Sequence, residues 1–301
     1  MNQDAIEYIV GCMATSDGAN AIQRIQTEHR LKLIEFWNIR KGSRVIEIGC
    51  GQGDTTAALA YVVGEDGFVH GIDIAPADYG GPITLGEARD CLLNSAMGGR
   101  MKIDFEMDVL SEEMDFPPMS FDYIVFSHCA FYLKSAEELT AILRKARKWG
   151  KQLCFAEWDT RIHKIEQHPH LLAVLIQSHY ECFKESSVAN VRTLFTPTDT
   201  LRIAKEAGWT VAREQIIQSR NLQDGQWEVD MTLNEYEGEI NRLGGVPDKL
   251  KSLLHSEVEL LKAANEKTVI ERCQCSHLSL NKKSREPIAS GTSILGAVSA
   301  T

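Results

Sequence analysis

The chain has no run of Lys and Arg longer than a few residues, and its 32 basic side chains are outnumbered by 42 acidic ones, for a formal net charge of −10. Phosphate backbones are held by basic faces, so this composition argues against a nucleic-acid partner. No stretch approaches the ~20 apolar residues of a membrane span, and no membrane association is expected. The N-terminal stretch MNQDAIEYIVGCMATSDG carries acids where a signal peptide carries bases, and its apolar run is short. No CxxC pair occurs. The eight cysteines, at positions 12, 50, 91, 129, 154, 182, 273 and 275, are scattered and mostly inside apolar runs. That pattern reads as reduced thiols and leads to the expectation of a cytoplasmic protein. No internal repeat is visible.

What is there centres on Arg44 to Thr56, RVIEIGCGQGDTT. An apolar run (Val45, Ile46, Ile48) leads into Gly49-Cys50-Gly51-Gln52-Gly53, and Asp54 opens the alanine-rich TAALAYVV. The order is buried strand, glycine turn, helix start. Glycines take backbone angles other residues avoid and let a ligand approach the main chain. The amides of the following helix favour a carboxylate or phosphate. The dinucleotide fingerprint G-x-G-x-x-G/A does not fit, because its last glycine falls on Asp54. Glu47, two residues before the first glycine, is poorly suited to a pyrophosphate and well suited to a ligand with an ammonium group.

This stretch resembles the first motif of the class I S-adenosylmethionine-dependent methyltransferases, of the kind acting on small molecules. The resemblance covers residues 20 to 160 well and the remainder in outline. It implies a seven-stranded, mostly parallel sheet with helices on both faces. It also implies S-adenosylmethionine as cofactor, with S-adenosylhomocysteine as product. Glu47 and the turn of Gly49, Cys50, Gly51 and Gly53 would hold the methionine moiety. FVHGIDI ends in Asp73 and Ile74, 20 residues past Gly53. An acid there would accept the ribose hydroxyls, a position that nicotinamide enzymes share. Asp108 would take the adenine amino group and the Val109 amide would contact the ring. Phe121 to Ser127 would be the fourth strand, with Ser127 at its end.

Residues 1–40 read as an N-terminal helical segment or lid, with Ile22, Ile25, His29, Leu33 and Phe36 at helical spacing. Tyr8, Arg24, His29 and Arg30 are its candidates to reach the cofactor. The methyltransferase domain spans 41–283, with helical insertions at about 160–193 and 221–266 that can roof the site, and 284–301 as a flexible tail. Ser135 with Glu138, and Thr196-Pro197 with Asp199, are helix starts. After Pro247, Leu250, Leu253, Leu254, Val258 and Leu261 line one side of a helix. CQCSHLSLNKK is the candidate seventh strand, antiparallel to the sixth, with Cys273 and Cys275 on one of its faces.

For the chemistry, the loop after strand four reads Ser127-His128-Cys129-Ala130-Phe131-Tyr132. His128 is either a base or a polar wall of the pocket. Glu157 is the second catalytic candidate, with Asp159 beside it. The N/D-P-P-Y/F/W motif of amino-group and nucleobase methylating enzymes is missing. Metal-dependent catechol-type O-methyltransferases place acids after both strands four and five, and no acid follows strand four here, so the resemblance implies no magnesium site; the histidines at 163, 168, 170 and 179 lack a zinc spacing and read as solvated helix residues. The expected activity is methyl transfer by in-line displacement to an O, N, S or C nucleophile of a small organic molecule, in specialised metabolism. The alternatives are a non-catalytic, cofactor-binding regulatory protein of the same fold and a nicotinamide-dependent oxidoreductase.

Overall fold

In the computed structural model, which describes residues 3–16, 20–187, 189–219, 221–266 and 275–282, the central strands send neighbouring side chains to opposite sides. On β1 (Arg44–Ile48), Val45 goes to one core and Ile46 to the other. Ile124 and Val125 on β4 (Phe121–Ser127) divide the same way, as do Leu153 and Cys154 on β5 (Gly150–Trp158). Strands buried on both faces need such continuous apolar runs. One core packs the sheet against α5 (Ala136–Ala146) and α7 (Pro197–Glu206) through Leu139, Leu143 and Ile203, with Trp149 and Trp209. The other packs it against α1 (Gln3–Val10), α2 (Asn20–Trp37) and α3 (Asp54–Val63) through Ile9, Leu33, Trp37 and Leu59.

With β2 (Phe68–Ile72), β3 (Met101–Asp104), β6 (Trp209–Ile217) and β7 (Cys275–Lys282), the sheet has seven strands in the order β3-β2-β1-β4-β5-β7-β6. The first five pair in parallel, and β7 runs antiparallel to both β5 and β6. This is the expected architecture, mostly parallel with helices on both faces. Chain order reverses between β1 and β4, and open α/β sheets bind ligands beyond the strand ends at that switch point. The expected tail at 284–301 and Cys273 lie outside the described residues, and the side chain of Cys275 is not described.

The predicted helix starts hold. Thr196 and Asp199 cap α7 reciprocally, with Pro197 at its first position. Ser135 accepts the Glu138 amide at 3.2 Å, although Glu138 itself takes the Lys134 amide. A further reciprocal cap, Thr84 with Glu87, opens α4 (Leu85–Leu93).

Helices α6 (His168–Glu181), α8 (Asp224–Arg242) and α9 (Asp248–Asn265) come from the two insertions and share a third core around Ala173, Ile176, Tyr180, Val229, Leu254 and Val258. On α9 the buried stripe is Leu254, Val258 and Leu261, and Leu253 is exposed. On α2 the buried side is also displaced from the expected one. Gln26, Thr27 and His29 are buried, whereas Ile22, Ile25 and Phe36 are half-buried. Part of this helix faces polar partners rather than core. Of the insertion histidines, His170 is fully buried with its ring 4.6 Å from that of Trp158, which corrects the reading of a solvated side chain.

Candidate functional site

Gly49, Gly51 and Gly53 all have positive φ, +74°, +52° and +84°, values that a side chain strains. Their surroundings differ. A Cβ on Gly49 would lie 2.8 Å from Cys129 Sγ, and one on Gly53 2.7 Å from Leu92. A Cβ on Gly51 would meet nothing within 4 Å. Gly49 and Gly53 are thus glycine because the protein presses on them, and Gly51 is the one whose Cα faces open space. Gly53 supplies no side-chain cap to α3, so the first amides of that helix open at the turn. The Gly51 amide donates to Asp73 Oδ2 at 2.8 Å. This bond ties the glycine turn to the end of β2.

Glu47, at the base of the turn, is 1% accessible. Thr56 Oγ1 donates to its Oε2 at 2.5 Å. Burial lifts its carboxyl from an ordinary 4.5 to about 8, against the opposing pull of the Thr56 hydrogen bond and the Arg30 charge. A buried acid of this kind is poised to ionise when a cation arrives beside it.

The loops after β2 and β3 are stitched together. The amides of Met107 and Glu106 donate to the carbonyls of Asp73 and Ala75, at 2.9 and 3.2 Å. Asp73 Oδ1 accepts the Ala75 amide at 2.9 Å, and Asp108 Oδ1 accepts that of Leu110 at 2.8 Å. Ile74 is 67% accessible, an apolar face presented beside Asp73, while Val109 and Cys50 are buried. Gln52 Nε2 donates to the Ile83 carbonyl at 2.7 Å, so the long loop after β2 folds back against the glycine turn.

Ser127, at the end of β4, is buried, and His128 follows at φ +56°, strained for a residue that is not glycine. Its amide donates to the Ala156 carbonyl at 2.9 Å. Cys129 Sγ lies 3.3 Å from the Ile48 carbonyl, and burial raises its thiol far above the ordinary value, so it is a packing group. Glu157 is buried, and its two oxygens accept the amides of Ala130 and Trp158 at 2.8 and 3.0 Å. That geometry braces the loop after β4. Asp159 is fully buried and held by Arg161 at 2.6 Å.

Helix α2 closes the other side. Arg30 pairs with Asp54 at 3.0 Å and Gln23 donates to the same carboxylate at 2.9 Å. Arg30 also donates to Gln26, which donates to Asp224 on α8 at 2.8 Å. His29 Nε2 lies 3.1 Å from His128 Nε2. Of the four expected lid residues, His29 thus lies against His128 and Arg30 against Asp54. Tyr8 lies tilted against Tyr61, ring centroids 5.7 Å apart, and Arg24 pairs with Glu7 at the surface. Gln23 and Gln26 carried no signal in the sequence.

Beyond His128 lies an aromatic wall, Phe131 edge-on to Trp158, and Trp158 edge-on to His170. Tyr132 keeps 43% of its surface accessible, yet burial and the facing Glu228 push its phenol up. Glu228 on α8 is buried and accepts from Gln177 on α6 at 2.8 Å.

A glycine turn over a buried acid, followed by acids after β2 and β3 on this sheet, defines a class I S-adenosylmethionine-dependent methyltransferase. Residues 39–208 match the model of a methyltransferase domain family, and the chain belongs to that family. A cyclopropane-fatty-acyl-phospholipid synthase-like protein from Lactobacillus casei is 32% identical, with a TM-score of 0.81 over 93% of this chain and 100% of that one. An aklanonic acid methyltransferase from a Streptomyces species is 34% identical over 35% of this chain and 43% of its own length. A ubiquinone/menaquinone biosynthesis C-methyltransferase from Vibrio cholerae is 29% identical over 43% of this chain and 46% of its own length. The match thus spans less than half of each of these two curated relatives. The cofactor is S-adenosylmethionine, which replaces the nicotinamide alternative.

Two outcomes follow from this geometry. Gly51→Ala costs the fold about 1 kcal/mol of backbone strain and lowers affinity for S-adenosylhomocysteine about tenfold or more, because its Cβ fills the open face. Gly49→Ala instead lowers the melting temperature, since its Cβ strikes Cys129. Parallel thermal melts and calorimetry check the pair. For Glu47, a raised carboxyl pKa stabilises the fold below its unfolded value of 4.5, and that contribution is lost as pH rises to about 8. The difference in urea unfolding free energy between wild type and Glu47→Gln therefore changes across that window, by on the order of a few kcal/mol. A flat difference contradicts the assignment.

Proposed function

We propose that this protein methylates a small organic molecule held beyond the ends of β4 and β5, under a lid formed by α2 and the two insertions. The observation that carries the reading is the placement of His128. It stands at φ +56° in the loop after β4, at the switch point, and the same loop carries Tyr132 and Phe131, the latter edge-on to Trp158. When bound, S-adenosylmethionine supplies an electrophilic methyl carbon on a sulfonium.

The chain's own residues do the rest. Glu47 faces the cofactor's ammonium group, and Gly49, Cys50, Gly51 and Gly53 wrap the methionine moiety. Asp73 accepts the ribose hydroxyls, Ile74 offers an apolar face to the adenine, and Asp108 and the Val109 amide meet its edge. Ser127 closes the floor. Glu157 holds the loop that carries His128. Proximity supplies much of the rate, and His128 takes the proton of an acceptor whose proton must leave. The relatives' named roles, on aklanonic acid and in ubiquinone and menaquinone biosynthesis, support a small acceptor and a place in specialised metabolism. The scattered free thiols support a cytoplasmic protein.

A second reading, a cofactor-binding protein without turnover, is favoured by one observation: both ring nitrogens of His128 already have partners. Incubation with S-adenosylmethionine and pooled phenols, amines, thiols and active-methylene compounds, read as S-adenosylhomocysteine formed, separates the two. The proposal predicts turnover with one pool, lowered about 100-fold by His128→Ala at unchanged cofactor affinity. Tight S-adenosylhomocysteine binding with no turnover on any pool supports the second reading.

A further inference from the structure

His128 is one end of a continuous hydrogen-bonded chain. Its Nε2 lies 3.1 Å from Nε2 of His29, and His29 Nδ1 lies 2.8 Å from Oγ of Ser219, just past the end of β6. On the other side, His128 Nδ1 is 3.5 Å from the Ala156 carbonyl, at the outer limit for a hydrogen bond. The two imidazole rings are 5.2 Å apart and tilted by 39°. His29 is 1% accessible, whereas His128 and Ser219 are each half-buried. A buried imidazole therefore joins two groups that both reach accessible surface, and the three come from α2, the loop after β4 and the segment after β6.

Two facing Nε2 atoms can share a bond only if one carries a proton and the other a lone pair. With both rings neutral, these three contacts have two concerted arrangements, with every proton pointing toward Ser219 or every proton pointing toward Ala156. We propose that His29 and Ser219 form a proton path for His128, taking away the proton that His128 removes from the methyl acceptor. This rests on the function proposed above. His29 is a positioning and relay residue, acting through His128.

The step balances. Before transfer, His128 Nε2–H donates to His29 Nε2, and His29 Nδ1–H donates to Ser219 Oγ. The acceptor's X–H bond breaks, its electron pair stays on X, and the proton goes to His128 Nδ1, which gives up its 3.5 Å approach to the Ala156 carbonyl to receive it and regains that approach once X is methylated. The Nε2 proton of His128 passes to His29 Nε2. The Nδ1 proton of His29 passes to Ser219 Oγ, whose own proton leaves to water. The chain ends with His128 Nδ1–H aimed at the Ala156 carbonyl. Neither ring becomes an imidazolium, which matters because burial penalises the charged form. When product leaves, water in the site takes the Nδ1 proton, the protons move back, and Ser219 recovers one from water.

The test reads the rings directly. The full chain, labelled in histidine with magnetic isotopes and saturated with S-adenosylhomocysteine, is compared by NMR as wild type, Ser219→Ala and Ser219→Thr. Calorimetry confirms that each variant binds S-adenosylhomocysteine. The proposal predicts scalar coupling between the two Nε2 nitrogens across their hydrogen bond. It also predicts that Ser219→Ala shifts the tautomer ratio of His128, which Ser219 does not touch, several-fold, and that Ser219→Thr restores it. Independent structural hydrogen bonds leave His128 unchanged in Ser219→Ala, and that result overturns the path. Uncoupled rings in a protein that turns over an acceptor overturn the path alone. Coupled rings in a protein that binds S-adenosylhomocysteine and methylates nothing overturn the function on which it rests.

Discussion

The hydrogen bond from the Gly51 amide to Asp73 fixes the ends of β1 and β2 to one another. The turn it holds is shaped by three positive-φ glycines, two of them hemmed in by Cys129 and Leu92. That constraint sets where α3 begins, and so where Asp54 stands for the Arg30 and Gln23 contacts of α2. It also keeps Glu47 beneath the turn, buried and bonded to Thr56. If the turn relaxed, the carboxyl would regain water and its affinity for protons would fall back, because burial is what raises it.

Helix α2 shows how a polar surface can be buried at tolerable cost. Thr27 and His29 have no accessible side, and Gln26 almost none, yet Gln26 and His29 have side-chain partners on α8, after β4 or after β6. A buried polar group costs little when bonded and several kcal/mol when not, on the order of the desolvation penalty of an amide or hydroxyl. The same contacts connect the N-terminal helix to the second insertion through Gln26 and Asp224. Two distant parts of the chain, α2 and α8, thus meet only in the folded state.

The central features were legible because their signals are local. Glycine spacing, the acid two residues ahead of it, and apolar runs of strand length need no tertiary information to read, and β1, β2, β4 and β5 fall where those runs are. The caps at Ser135 and Thr196 were readable for the same reason. The polar side of α2 was not, because Ile22 and Ile25 offered a better apolar stripe than Gln26 and Thr27, and only the position of α8 and β6 decides between them. His29 did stand in the stripe, the one hint that a polar group would be enclosed. His170 was misread as solvated since nothing near it in sequence announces Trp158, which arrives from the end of β5. Glu157 was legible as an acid at a strand end and not as a brace, because its partners are backbone amides and any residue supplies those.

The central claim is that the turn between β1 and α3, with Glu47 beneath it and Asp73 beside it, holds S-adenosylmethionine. Calorimetric titration of the full chain with S-adenosylhomocysteine near pH 7, repeated in buffers of different ionisation enthalpy, tests it most directly. The account predicts a single saturable site of micromolar affinity, with protons released on binding as the ammonium group draws the Glu47 carboxyl down from about 8. A folded protein that binds no S-adenosylhomocysteine, or binds it with no proton release, would contradict it.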